Sequence, residues 1–418
     1  MVRNVYHRLP SSKTRPRRAG YLERWYPRTG TVTREHQQGK EKVDMKIERV
    51  ESFLMGNRWL FVEITTDTGI VGLGEAGLWG YPAAAEAVIA QWRPYLIGKD
   101  PLQIEHHWQY LYRNAHFRGA AIGGALGGID IALWDIAGKH YGAPCYALMG
   151  GKCRDRVRLY MHIGGDSLDD FLIDGRRAVD DGFTALRFVP FKDDYPSRRF
   201  SDVMAESVAR VGALRETVGN GVDLCVEIHR RMSPMEAITL GRELAQFRPF
   251  FLEDPIIPDS VQSMADVQRQ CAIPIATGER LHTIFEFREL LQASGCQFIR
   301  PDVCIAGGLT QSKKIATLAE AYHIGVIPHN PLSPVSTAAC VQLDACIPNF
   351  TLQEYTGEDK PPKSLLLKEP LTLERGYLII PDRPGIGVAL NHDTVASNPF
   401  THREIATPLH EDGSVADW

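Results

Sequence analysis

Between Val222 and Tyr355, one apolar run after another closes on an ionisable residue. The runs VDLCVEIH (222–229), PFFLEDP (249–255), IPIATGE (273–279), CQFIRPD (296–302), IGVIPHN (324–330) and TLQEY (351–355) end on Glu227 with His229, Glu253, Glu279, Asp302, His329 and Glu354. Successive members lie roughly 23 to 27 residues apart, the length of one strand, one helix and two short loops, so the period is that of a parallel β/α barrel. Chemistry in such barrels sits at the C-terminal ends of the strands, which makes these residues a candidate active site. Glu227, Glu253 and Glu279 end three consecutive strands and should converge. Three carboxylates in one place repel unless they share a cation. All-oxygen ligands favour a hard ion, Mg²⁺ first and Mn²⁺ second, over zinc. The competing reading is three solvated glutamates paired with Lys or Arg, for which Arg280 beside Glu279 is at hand.

His229 follows Glu227 by two residues, and side chains two apart on a strand share a face. It is therefore expected to face the same site. His329 ends the seventh strand, across the barrel mouth, and Asp302 ends the sixth. A carboxylate on the neighbouring strand can accept the imidazole N–H, fix the tautomer and raise basicity, as a general base requires. A cation beside two opposed acid–base groups suits abstraction of a proton next to a carboxylate, because the dianion formed needs nearby positive charge and hydrogen-bond donors. With a base on one face and an acid on the other, a β-hydroxyl can leave as water. The net reaction is dehydration.

The 418 residues suffice for a barrel and a smaller domain. From Met45, strand-like alternation leads into LFVEITT (60–66), a turn at Asp67-Thr68-Gly69, and IVGLGEA (70–76), a β-hairpin by its turn residues. Pro82–Leu96 and Ala121–His140 read as helices, the second with Ile129, Ala132, Leu133, Ile136 and Ala137 on one stripe. Strands followed by helices give an α+β domain over 45–155. VRLYMHIG (157–164) and ALRFVPF (185–191) supply the first two of eight barrel strands over 156–375, and residues 376–418 are expected to return to the first domain. Residues 1–44 are rich in Arg and Lys, lack an acidic residue until Glu23, and show no apolar period. They are read as a disordered basic extension, with an upstream start or an organelle presequence as alternatives. The eight cysteines form no CxxC pair or secreted framework and are expected to be reduced in a cytoplasmic protein. A net charge of −4 gives no sign of a nucleic-acid or membrane partner, and no apolar stretch is expected to approach a membrane span.

Together, VEIHRR (226–231), FLEDP (251–255), ATGER (276–280), RPDVCIAGG (300–308), PHNPLSP (328–334), LQEY (352–355) and GIDIALWDIAGK (128–139) resemble the enolase superfamily and, within it, the mandelate racemase subgroup. The resemblance spans nearly all of 45–390. It implies an α+β capping domain over a modified (β/α)7β TIM-like barrel and Mg²⁺ on Glu227, Glu253 and Glu279. It further implies a His329–Asp302 dyad as base and Glu354 hydrogen-bonded to the substrate carboxylate or enediolate. The chain is most similar to acid-sugar dehydratases of the galactonate type, in which the histidine at the position of His229 assists departure of the 3-hydroxyl. The implied substrate is a small sugar acid, an aldonate such as galactonate, and the implied assembly a homo-oligomer between dimer and octamer. Two features depart from the pattern: the first ligand is Glu227 where Asp is usual, and ALRFVPF lacks the Lys-x-Lys that racemases use as a second base. The VEIHRRMSP stretch is also similar to mannonate dehydratases, although Asp302 sets this chain apart from them. A racemase, epimerase or cycloisomerase on the same scaffold, or a silent sugar-acid-binding homologue, are the alternatives. Loops of the capping domain carry Arg58, Trp59, Trp79, Tyr81, His116 and Arg118 as candidates for specificity.

Overall fold

The computed structural model describes residues 45–417. The extension expected over 1–44 lies outside them. The chain opens with an antiparallel sheet of β1 (Ile47–Met55), β2 (Trp59–Thr66) and β3 (Val71–Glu75), followed by α1 (Pro82–Leu96), α2 (Ile104–Asn114), α3 (Ala120–Tyr141) and the short α4 (Cys145–Leu148). This is the capping domain. Its core joins Leu60, Val62 and Ile64 of the sheet to Ile129, Ala132, Leu133 and Ile136 of the α3 stripe. By length and composition α3 could cross a membrane, contrary to the expectation that no stretch would, but 78% of its apolar window is buried inside the protein. It is a core helix.

Eight parallel strands follow: β4 (Arg156–His162), β5 (Ala185–Phe188), β6 (Asp223–Glu227), β7 (Phe251–Glu253), β8 (Ile275–Thr277), β9 (Phe298–Ile299), β10 (Gly325–Val326) and β11 (Gln353–Tyr355). Between them run α5 (Leu168–Asp180), α6 (Phe200–Val218), α7 (Pro234–Leu244), α8 (Val261–Gln270), α9 (Ile284–Gln292), α10 (Gly308–Ala321) and α11 (Pro334–Cys346). No α-helix follows β11 directly, so the order is (β/α)7β. Closure comes from β11 pairing with β4 and from the bridge between Val326 and Phe350. Capping boxes at Ser167/Asp170, Ser233/Glu236 and Thr283/Glu286 start α5, α7 and α9 by satisfying backbone N–H groups that the first turn leaves open. A hairpin of β12 (Leu373–Glu374) and β13 (Tyr377–Ile379) then adds antiparallel to β4. The chain ends beyond α12 (His392–Ser397), with Thr401 N–H donating to Gly56 O at 2.6 Å on the capping domain. All eight cysteines are free.

Among the contacts that seat the cap, one is with the barrel and one with the C-terminal segment. Gly127 of α3 lies so close to the loop after β9 that a Cβ there would stand 2.2 Å from the Cys304 carbonyl oxygen, an approach that only glycine permits. Asp135, fully buried, accepts from Leu73 N at 2.8 Å, Ile386 N at 2.8 Å and Lys139 Nζ at 2.6 Å, tying sheet, helix and C-terminal segment together. Asp135→Ala strands a lysine and two buried N–H groups, so urea unfolding should lose about 3 kcal/mol. A loss below about 1 kcal/mol would mean that those donors find other partners.

Candidate active site

The barrel interior is plugged by a layer of Tyr160, Ala185, Cys225, Phe251, Ala276, Ile327 and Leu352. Residues two further along a strand share its inward face. Two residues beyond members of the plug stand His162, Arg187, Glu227, Glu253, His329 and Glu354, and Arg300 is related in the same way to Phe298, which packs against the plug. His162, Arg187, His329 and Glu354 of this ring line the floor of a cavity of about 820 Å³ that is roofed by the capping domain and the C-terminal segment.

His329 Nδ1 lies 2.9 Å from Asp302 Oδ2, and its Nε2 lies 3.4 Å from Glu279 Oε2. The parallel bridge between Asp302 and His329 extends the register of β9 and β10 past the strands and sets the pair side by side. Asp302 is itself held by the N–H groups of Cys304 at 2.8 Å and Ile305 at 3.1 Å. Burial alone would lower the imidazole pKa, but Glu279, Glu354 and Asp302 outweigh it and carry His329 up to about 9. Glu354 accepts from Arg300 Nη2 at 2.9 Å and Asn330 N at 2.8 Å, with His162 Nε2 at 3.0 Å from its other oxygen. Burial opposes ionisation of Glu354, yet Arg300 and His329 hold its pKa well below the usual carboxylate range.

His229 lines the cavity, but not by the alternation expected from sequence. β6 stops at Glu227, and His229 and Arg230 both take left-handed backbone, with φ of 56° and 68°. The turn leaves His229 Nε2 3.0 Å from Arg230 Nη2. Burial and then the Arg230 charge push the imidazole down to about 3, so the ring is neutral at ordinary pH.

Glu227, Glu253 and Glu279 are all buried. Glu227 and Glu253 pair across β6 and β7. The strong mutual repulsion foreseen for them is relieved in part by arginines. Arg187 contacts Glu227 and lies 3.3 Å from Glu253, Arg300 lies 3.0 Å from Glu253, and Arg230 contacts Glu279. Arg280, the partner suggested by sequence, makes no ion pair among the described residues. Nor is any trio of acidic, His or Cys side chains among those residues arranged as a finished metal cage. The donor set nevertheless fits a hard divalent ion, because Glu227 Oε1 and Glu253 Oε2 are buried with no hydrogen-bond donor. Burial also drives the Glu253 pKa upward and Glu227 adds to the rise, although Arg300 and Arg187 oppose it. Closing a cage requires Glu227 and Glu279 to turn from their arginines.

Sequence reasoning missed His162, Arg187, Arg230 and Arg300. Three of them carried the available signal, a position two residues past an apolar residue of the barrel interior. Of the loop candidates, Arg58, Trp79 and Tyr81 line the cavity. Trp59 is buried at the start of β2, Arg118 packs 4.4 Å from the Tyr112 ring, and His116 packs against Phe117, all three away from the cavity lining.

A capped (β/α)7β barrel with carboxylates at or just past the ends of its third, fourth and fifth strands and a histidine–aspartate pair across the mouth defines a class. Residues 172–394 match the family of enolase C-terminal domain-like proteins, and residues 40–150 match the mandelate racemase / muconate lactonizing enzyme N-terminal domain. The chain belongs to the enolase superfamily, in its mandelate racemase and muconate lactonizing branch. It is 36% identical over 386 residues to a D-galactonate dehydratase of Verminephrobacter eiseniae and 38% identical over 385 residues to one of Ralstonia nicotianae, in each case covering 90% of this chain and all of the relative. Among solved structures, an enolase from Agrobacterium radiobacter with Na and L-malate bound superposes with a TM-score of 0.85 at 31% identity, covering 89% of this chain and all of that one. A mandelate racemase/muconate lactonizing enzyme from Sulfitobacter gives 0.81 at 32%, covering 87% and 98%.

Proposed function

We propose that the protein is a Mg²⁺-dependent hydro-lyase that converts a sugar acid, an aldonate such as galactonate, to its 2-keto-3-deoxy acid. The observation that carries this reading is the His329–Asp302 pair, 2.9 Å apart, turned into the same cavity as Glu279, Glu354 and His229. Glu227, Glu253 and Glu279 would hold the ion, with Mn²⁺ as a substitute. When bound, Mg²⁺ supplies the positive charge that makes a carbanion next to a carboxylate accessible. His329 acts in its neutral form, favoured once the Glu279 charge that helps raise its pKa is spent on the ion; Nε2 then takes the C2 proton while Asp302 fixes the tautomer. Glu354, positioned by Arg300 and the Asn330 N–H, would bond the substrate carboxylate or the enediolate on the flank of the dyad through a proton shared between the two acids, which the substrate's own negative charge beside Glu354 favours. With the substrate's negative charge beside it, His229 would take up a proton from solvent and pass it to the departing 3-hydroxyl, so that the C3–O bond breaks, water leaves and the enol tautomerises to the ketone. The protein is read as cytoplasmic and homo-oligomeric, between dimer and octamer, with no nucleic-acid or membrane partner.

A panel of monoacid and diacid sugars in Mg²⁺, assayed for 2-keto-3-deoxy acids, tests the reading. Turnover of one or more sugar acids to the keto acid is expected. Inversion at C2 without a keto product would make the protein a racemase or epimerase, and tight binding without turnover would make it a silent homologue.

A further inference from the structure

The ring of strand ends accounts for one side of the cavity. Its other side is formed by Arg58, on the turn between β1 and β2, Trp79, on the loop after β3, and Arg403, in the C-terminal segment. The Arg58 guanidinium lies 6.0 Å from the Trp79 ring centroid and that of Arg403 lies 4.9 Å from it. Among the arginines on the barrel side of the cavity, Arg187 is committed to Glu227 and Glu253 and Arg230 to Glu279, while Arg280 makes no ion pair among the described residues. Arg58 and Arg403 also make no ion pair among the described residues, and they are distinguished by sharing one indole ring. The carboxylates of Asp259, Glu279, Glu286 and Glu354 line the same cavity without reaching them.

Two half-buried guanidiniums on one indole, with no carboxylate between them, repel each other. Burial, and then the Arg403 charge, push the Arg58 pKa below its ordinary value. A cation–π contact orients a guanidinium but leaves its charge in place. What neutralises such a pair is an oxyanion, which the planar N–H forks of arginine bind through two parallel hydrogen bonds. A sugar acid whose C1 carboxylate lies at the strand ends must send its far carbons toward the cap.

We propose that Arg58 and Arg403, braced on Trp79, form a subsite for a negatively charged terminal group, so that sugar acids charged at both ends are used in preference to aldonates with a neutral terminus. The inference rests on the reading of the cavity as a sugar-acid dehydratase site. It adds the charge of the end remote from the chemistry. The group bound is a terminal oxyanion, either a second carboxylate or a phosphate.

The test compares galactarate and glucarate, 6-phosphogluconate, galactonate and gluconate with the full chain in Mg²⁺. A kcat/KM at least tenfold higher for one of the doubly charged classes than for the aldonates is expected, and the class that gains identifies the anion as carboxylate or phosphate. In the Arg58→Gln/Arg403→Gln double variant that ratio should collapse toward one, mainly through KM. Lys at both positions should restore part of it, which loss of packing alone would not predict. Calorimetric titration of galactarate and 6-phosphogluconate into His329→Asn protein, with and without the double substitution, reads the subsite without turnover. At least tenfold weaker binding of one of these probes in the substituted protein is expected even if no sugar acid is consumed, an outcome that would sink the dehydratase reading alone. Equal use of aldonates and doubly charged acids by the wild type, with equal binding in the two His329→Asn backgrounds, would overturn the subsite while leaving the dehydratase standing.

Discussion

His329→Asn is expected to abolish exchange of the substrate C2 proton with solvent deuterium and to lower keto-acid formation by about 10²–10⁴-fold, the usual contribution of a positioned general base. Asn keeps a polar side chain beside Asp302 but cannot accept and release a proton. The loss should appear in kcat, because His329 is assigned to the reacting hydrogen. Mg²⁺ affinity, read by calorimetry on the same variant, should remain within a few-fold of wild type, whereas Glu253→Gln should lose most of it. Exchange persisting at the wild-type rate would remove His329 as the base. Loss of the ion in His329→Asn would erase the division between a metal half, Glu227, Glu253 and Glu279, and a proton-transfer half, Asp302, His329 and Glu354.

Arg300→Met should be the most destabilising single change in the barrel. The guanidinium is 0% exposed and pairs at once with Glu253 at 3.0 Å, Glu354 at 2.9 Å and the Tyr160 hydroxyl at 2.8 Å. Removing one side of a buried ionic cluster leaves charge in a low-dielectric interior, at a cost of about 3–5 kcal/mol. Chemical denaturation at neutral pH should show that loss. Activity should fall further than stability explains, since Glu354 would lose the partner that holds it ionised beside His329. A double variant that also carries Glu354→Gln should recover part of the stability but none of the activity. Unchanged stability in Arg300→Met would mean that Arg187 takes over Glu253, and the cluster would then be less tightly specified than its distances indicate.

Much of this site is legible in the sequence, for a physical reason. Barrel strands here are only two to seven residues long, and each must pass from apolar interior to a wet mouth within one step of alternation. The transition marks Glu227, Glu253, Glu354 and their kin in the sequence itself. The same rule points to His162 and Arg187 on the first two strands, but isolated ionisable residues gain meaning only when their neighbours in space are known. Arg300 was hidden in plain sight beside Asp302, because an arginine in a buried run gives no hint of which carboxylates it meets. His229 faces the site through a left-handed turn that no period-two count could foresee. In the cap, α2 was not anticipated, although Ile104, His107, Trp108 and Leu111 are buried along one side of it. Its histidines and tyrosines mask the stripe.

The close seam at Gly127 also bears on motion. With α3 backbone against backbone at the loop that bears Asp302, and the Ser333 hydroxyl and Ser336 N–H of the barrel donating to Glu75 of the cap, swinging cap from barrel would break buried contacts. Substrate traffic must then be handled by small parts: the loop of Trp79, the turn of Arg58 and the terminal segment of Arg403. Whatever opens the cavity therefore also dismantles its remote charge clamp, and product release is coupled to letting go of the far end of the molecule first.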